Sequence, residues 1–144
     1  MADVDDAHLP KQAAASELAE AADGEARDSG GRRAAISNAM VGLKKEFYGK
    51  GPTAAKTYFD DDWVFVVLEG GLNRSEETLL EAGEERLVRE VRLRFQEAMT
   101  ATICGAVEEI LGRPVLTYHS QVMFDPMRTV EMFLLAPLPD GQQN

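Results

Sequence analysis

The stretch Gly49-Lys50-Gly51-Pro52-Thr53 separates two incompatible hydrophobic periods, and so fixes where this chain must change direction. Before it, Ile36, Met40, Leu43 and Phe47 recur at steps of four, three and four, which is one stripe of a helix. After it, residues 53–59 alternate, and Trp63-Val64-Phe65-Val66-Val67-Leu68 is a continuous run of bulky, mostly β-branched or aromatic residues. Such a run suits a central strand buried on both faces, or a strand at a subunit contact. Glycine accepts left-handed backbone and proline cannot extend a helical ladder, so a helix over 32–48 is expected to stop here. Ser37, Lys44 and Lys45 fall off the stripe and are expected to point away from the core.

The remaining punctuation is equally regular. Asp60-Asp61-Asp62 reads as a polar turn, which makes the two strand runs an antiparallel hairpin. Gly70-Gly71 ends the second strand. Asn73 with Glu76 three residues on is a capping-box pattern, so a short helix is expected from there to about Ala82, ending at Gly83. A long helix follows over about 84–111, with Leu87 or Val88, Val91, Phe95, Met99, Ile103, Ala106 and Ile110 as its stripe. At roughly 1.5 Å per residue it is about 40 Å long, so it is expected either to kink near Thr102–Gly105 or to project into a partner. Gly112-Arg113-Pro114 stops it. Strands over 115–124 and 129–135 flank a turn at Asp125-Pro126-Met127-Arg128. In the first of them Leu116, Tyr118, Ser120, Val122 and Phe124 are expected on one face, and Val115, His119, Gln121 and Met123 on the other.

The fold class is therefore α+β. Two antiparallel hairpins form one mostly antiparallel sheet, packed by an N-terminal helix and a long central helix. Residues 1–31 hold eight acids, two bases and no aromatic residue. A segment of that composition buries too little apolar surface to offset the entropy of ordering, and it reads as a disordered acidic tail. Residues 32–137 form the domain and 138–144 a C-terminal tail. The apolar Trp63–Leu68 strand and the long helix offer more apolar surface than one small domain covers, which predicts a homodimer.

Charge and composition exclude several function classes. The net charge is −10, of which the first 31 residues carry −6. A nucleic-acid-binding domain shows the opposite balance, so no nucleic acid is expected. A single cysteine, Cys104, allows no internal disulfide and no cysteine cluster for a metal. No apolar run reaches the roughly 18 residues of a membrane span, and the N-terminus lacks a signal sequence, so the protein is expected in the cytoplasm. No cofactor is expected.

One patch runs against the acidic average. Six of the 13 bases in residues 32–144 lie between Arg32 and Lys56. Lys44, Lys45, Lys50 and Lys56, with the Gly51-Pro52-Thr53 turn, form a candidate surface for a partner or a small anion, and Glu69, Gly70 and Gly71 are placed beside it. The turn lacks phosphate-loop spacing and follows a helix rather than a strand. A hydrolase centred on His119, with Ser120 and Asp125 or Glu69, is the minority reading, because adjacent strand residues point to opposite faces. The Asp60–Asp62 row lacks the spacing of a calcium loop.

Several segments, taken in order, are similar to those of one known family. They are Ile36-Ser37-Asn38-Ala39, Gly49-Lys50-Gly51-Pro52-Thr53 with Lys56, and Val67-Leu68-Glu69-Gly70-Gly71-Leu72. Then come Glu76-x-x-Leu79 with Glu81-Ala82-Gly83, Arg92 to Phe95, Gly112-Arg113-Pro114-Val115, and Ser120-Gln121 with Asp125-Pro126. Over residues 36–135 the chain resembles the MpsC family, long catalogued as a domain of unknown function. The resemblance implies a soluble accessory protein of ion-coupled membrane complexes that generate membrane potential or take up inorganic carbon. It implies membrane transport subunits as partners, reached at the inner face of the membrane, and no catalytic residue. An anion- or nucleotide-sensing module using the 49–53 turn is the alternative.

Overall fold

A computed structural model of the chain describes the backbone of residues 12–139 and the side chains of residues 28–139. It divides into two units, Met1–Gly31 and Arg32–Asn144. The larger unit holds all four strands. Helix α1 (Gln12–Tyr48) precedes the strands. The expectations for residues 1–11 and 140–144 lie outside the described residues.

Helix α1 ends where the sequence demands. Gly49 adopts φ 81°, and its amide donates to the Lys45 carbonyl at 2.9 Å. Strands β1 (Ala54–Asp60) and β2 (Trp63–Glu69) form the first hairpin, turning through Asp61 at φ 55°. Helix α2 (Arg74–Glu81) begins with the full capping box, in which Asn73 accepts from the Glu76 amide at 2.8 Å and Glu76 accepts from the Asn73 amide at 3.0 Å. Helix α3 (Glu85–Leu111) is one uninterrupted element that closes on Gly112 in the left-handed region. Strands β3 (Val115–Phe124) and β4 (Met127–Leu135) form the second hairpin.

The sheet order is β1-β2-β4-β3, with every neighbouring pair antiparallel. The two hairpins thus join through β2 and β4, and the bulky Trp63–Leu68 run is a central strand. This is the α+β arrangement read from the sequence. One face of the sheet carries the core: Val64, Val66, Leu68, Phe133 and Leu135 from the strands, Ile36 and Met40 from α1, and Met99, Ile103 and Val107 from α3. Arg113 closes one end, donating to Asp62 at 2.6 Å and to the Ala136 carbonyl at 2.6 and 3.0 Å. Among the described residues no helix is long and apolar enough to cross a membrane.

Three local expectations are corrected. Lys44 and Ser37 do not point away from the core. Ile36, Met40, Lys44 and Tyr48 recur at steps of four and form the buried edge of α1, while Leu43 and Phe47 are only half-buried. Ser37 Oγ meets Thr57 Oγ1 at 2.8 Å. On α3 the buried positions are Val88, Arg92, Met99, Ile103 and Val107, whereas Leu87, Val91 and Phe95 stay exposed. The inward position is taken by an arginine, which rotates the expected apolar stripe outward. In β3 a register shift between Val115 and Thr117 places Val115 on the core side and leaves Leu116 60% exposed. A bulge inverts the alternation on one side of it, which strict period-two counting misses.

These placements predict opposite outcomes for two large side chains. Phe133→Ala should lower the urea-unfolding free energy by about 3–5 kcal/mol, through lost transfer energy and the cavity left behind. Leu116→Ala should stay within about 0.5 kcal/mol of the parent, as surface changes do. Equal losses would contradict the bulge.

Candidate functional site

The two glycine turns of the sequence meet in space. A side chain on Gly70 would lie 2.9 Å from Thr53 Oγ1, and one on Gly71 would lie 3.4 Å from Pro52. Gly70 and Gly71 have positive φ, at 71° and 96°. The 49–53 corner therefore packs directly on the 70–71 corner. The Thr53 amide donates to the Glu69 carbonyl at 2.8 Å, and the Thr53 hydroxyl donates to the same oxygen at 3.2 Å. Gly51, Pro52, Thr53, Glu69, Gly70 and Gly71 are thus brought together, as the sequence reading grouped them.

A buried ionic clasp holds this joint from below. Arg92, projecting inward from α3, makes a two-pronged ion pair with Glu76 of α2, Nε to Oε2 at 2.6 Å and Nη2 to Oε1 at 2.7 Å. The same Nη2 donates to the Gly71 carbonyl at 3.1 Å. The guanidinium lies over the Tyr48 ring, 4.4 Å from its centroid, a cation–π contact in a desolvated setting. Asn73 Nδ2 donates to the Tyr48 carbonyl at 3.2 Å, so the last turn of α1 is tied to the start of α2. Glu76 serves twice: it completes the capping box and receives Arg92.

Lys44 belongs to a second buried network. Its amine pairs with Glu131 at 2.8 Å, the lysine side chain being 6% exposed and the carboxylate fully buried. Glu131 also accepts from the Tyr118 hydroxyl and from Ser120 Oγ at 3.1 Å. Three donors around one carboxylate answer the desolvation that an ionised group suffers in a core. Burial, reinforced by Glu131, pushes the Tyr118 hydroxyl far above its ordinary range. Burial also raises Tyr48 to about 12, against the lowering influence of Arg92. Both phenols stay protonated throughout the physiological range.

The other lysines separate. Lys45 and Lys50 are exposed, Lys45 on the last turn of α1 and Lys50 on the corner. Lys56 sits on the opposite face of the sheet, over the Tyr58 ring at 5.3 Å. Glu69 is exposed, with Arg128 at 3.9 Å. The corner lies at the C-terminal end of α1, where free carbonyls carry partial negative charge. Lys44 and Arg92 line the small cavity beneath the corner but are already paired with Glu131 and Glu76, which leaves the exposed Lys45 and Lys50 for an anion. His119 and Ser120 diverge: His119 meets Thr117 on the outer face at 3.1 Å, while Ser120 faces Glu131. Among the described residues no cluster of three metal-ligating side chains occurs.

A cleft of about 430 Å³ opens beside the clasp, between the first half of α3 and strands β3 and β4. Lys44, Tyr48, Arg89, Arg92, Leu93 and Ser120 line it. Of its lining bases, Lys44 is engaged with Glu131, Arg92 with Glu76, and Arg89 donates to the Val122 carbonyl at 2.7 Å. Tyr48, Glu76, Arg92 and Glu131 are the residues the sequence reading did not assign to a site. The available signal was spacing. Arg92 falls four residues after Val88 and seven before Met99, and Glu131 sits at an inward position between Thr129 and Phe133.

Two measurements test these networks. Lys44→Ala should cost about 3–5 kcal/mol of stability, because it strands the Glu131 carboxylate, while the combined change Lys44→Met, Glu131→Leu, Tyr118→Phe and Ser120→Ala, which removes the carboxylate together with its three donors, should regain most of that loss. A neutral Lys44→Ala would rule out a buried pair. For Tyr48, the folded value lies above the unfolded one near 10. Its contribution is therefore fully present below about pH 10 and lost as pH rises through about 12. Tyr48→Phe should flatten the fall of thermal midpoint with pH across that window, and an unchanged slope would contradict the burial of the hydroxyl.

The model of a family described as "Na+-translocating membrane potential-generating system (MpsC)" matches residues 29–137. No curated protein and no solved structure matches the chain. With its α+β domain covered almost end to end, the chain belongs to the MpsC family.

Proposed function

We propose that this protein is a non-catalytic accessory or regulatory component of a Na+-translocating, membrane-potential-generating system, acting on membrane subunits through its double glycine corner. The family match over residues 29–137 carries the reading, since that family is named for such a system. The local structure supports it. Buried polar groups here bind one another: Lys44 and Tyr118 on Glu131, and Arg92 on Glu76. Networks satisfied in this way rigidify a scaffold. What the scaffold presents is the exposed Lys50, with Lys45 beside it on α1 and the exposed Thr53 on the same corner. In this reading the ion path lies in the partner subunits, and the protein docks at the inner face of the membrane through them.

The test is association with the membrane subunits of the Na+-translocating complex, purified from cells that make both. Lys50→Glu should reduce the recovered complex several-fold while leaving the thermal midpoint unchanged, because Lys50 is exposed. Recovery unaffected by Lys50→Glu would remove the corner as the docking surface. A Na+-driven membrane potential that is the same in vesicles with and without the protein would remove the role itself.

A further inference from the structure

The helices of the Arg32–Asn144 unit pack on one face of the sheet, and within that unit the other face carries no helix. That outer face has a regular pattern. Strand pairing sets it out in four rows, each running from β1 through β2 and β4 to β3. The rows are Asp60, Trp63, Leu134, Thr117; then Tyr58, Phe65, Met132, His119; then Lys56, Val67, Val130, Gln121; and last Ala54, Glu69, Arg128, Met123. The two central columns thus hold six contiguous apolar side chains, capped at one end by Glu69 and Arg128. Trp63 and Phe65 stack on each other with centroids 5.9 Å apart. Polar residues and the half-exposed Tyr58 and Met123 form the flanks. An apolar centre with a polar rim is the anatomy of an interface rather than of a solvated sheet.

We propose that a second copy of this chain covers the face, across a two-fold axis that lies in the interface, runs along the strands and passes between β2 and β4. The charge pattern selects both the occupant and the axis. Rotation about that line lays β2 on the partner's β4. Glu69 then faces the partner's Arg128, and its own Arg128 faces the partner's Glu69, so four charges of alternating sign close one end. Trp63 meets the partner's Leu134, Phe65 the partner's Met132, and Val67 the partner's Val130. On the flanks, Tyr58 meets the partner's His119, Asp60 the partner's Thr117, and Lys56 the partner's Gln121. No position opposes a like charge, which makes the face complementary to itself. An in-plane axis across the strands would instead place Glu69 on the partner's Trp63, burying a carboxylate against an indole without a counter-charge. The sheet spans about 20 by 23 Å at ordinary strand spacing, a footprint at the lower end of specific interfaces. Sheets packed face to face cross at about 30°, so the central pairs keep their register better than the flanks.

Sedimentation equilibrium of the full chain, with circular dichroism as the folding control, tests this. The parent should be dimeric at tens of micromolar. Phe65→Lys should be a folded monomer. Glu69→Arg alone and Arg128→Glu alone should each weaken the dimer at least about tenfold, since each sets like charges opposite one another at two places. An equimolar mixture of these two variants restores both contacts between unlike chains, and native mass spectrometry should find the mixed dimer dominant. The ion pair within one chain cannot produce that result, because each variant carries two like charges of its own. A monomeric parent, or a dimer indifferent to Phe65→Lys, would overturn the interface. A mixture that stays unassociated would overturn the axis. Lys50→Glu should remain dimeric, so failure of the corner and failure of this interface are distinguishable.

Discussion

A fully buried carboxylate sets the terms for the rest of this structure. Glu131 lies at the centre of β4 with no solvent contact, among Thr129, Phe133 and the core of α1 and α3. A charge in that position is tolerable only if donors surround it. Those donors come from two elements: Lys44 from α1, and Tyr118 and Ser120 from β3. Helix α1 therefore cannot slide or rotate over the sheet without stranding the charge, because one turn of movement takes the amine out of reach. Apolar packing alone would tolerate neighbouring registers. The ion pair supplies a specificity that Ile36 and Met40 do not, while adding little net stability over an apolar pair of the same shape.

Fixing α1 also fixes its end. Tyr48 lies one turn beyond Lys44 and is buried beneath Arg92, which Glu76 holds in two-pronged fashion. The helix terminus, the Gly70–Gly71 turn and the start of α2 are thereby connected through Arg92, Asn73 and Tyr48. At Gly70 the Thr53 side chain occupies the space a Cβ would need, 2.9 Å away, whereas at Gly71 a Cβ would meet Pro52 at ordinary contact distance and the positive φ alone calls for glycine. The glycines that look like punctuation in the sequence are also packing contacts of one another.

Much of the fold was legible because it rests on local rules. Helix stops at Gly49 and Gly112, the Asn73–Glu76 capping box and two short hairpin turns all act within a few residues. The pairing of glycine turns was half legible: both were singled out, and their contact follows only from the β1–β2 register. The interior of the site was hidden for a different reason. Lys44, Arg92 and Glu131 occupy inward positions by spacing, yet a rule that sorts charged residues outward overrides that spacing. Where a helical step of four carries Ile36, Met40 and then a lysine, the period was the better guide than the residue type. The bulge at Leu116 was illegible, because nothing in Val115-Leu116-Thr117 marks which residue leaves the ladder.

The corner and the outer face of the sheet are joined by covalent and hydrogen-bonded steps. Glu69 is the last residue of β2 and directly precedes Gly70, whose amide donates to the Met127 carbonyl at 3.2 Å, next to Arg128. The Glu69 carbonyl in turn receives Thr53 of the corner. A dimer whose axis runs along the strands places both Glu69 ends on the same side of the assembly, and therefore both corners. Two equivalent basic corners facing one way make a bivalent surface, in which the second contact forms at high effective concentration once the first is made. In the proposed dimer, a weak single contact through an exposed lysine would then suffice for stable attachment to a membrane complex that offers two sites at matching separation. The same proposed geometry would make attachment sensitive to whatever shifts the monomer–dimer balance, without any change at the corner itself.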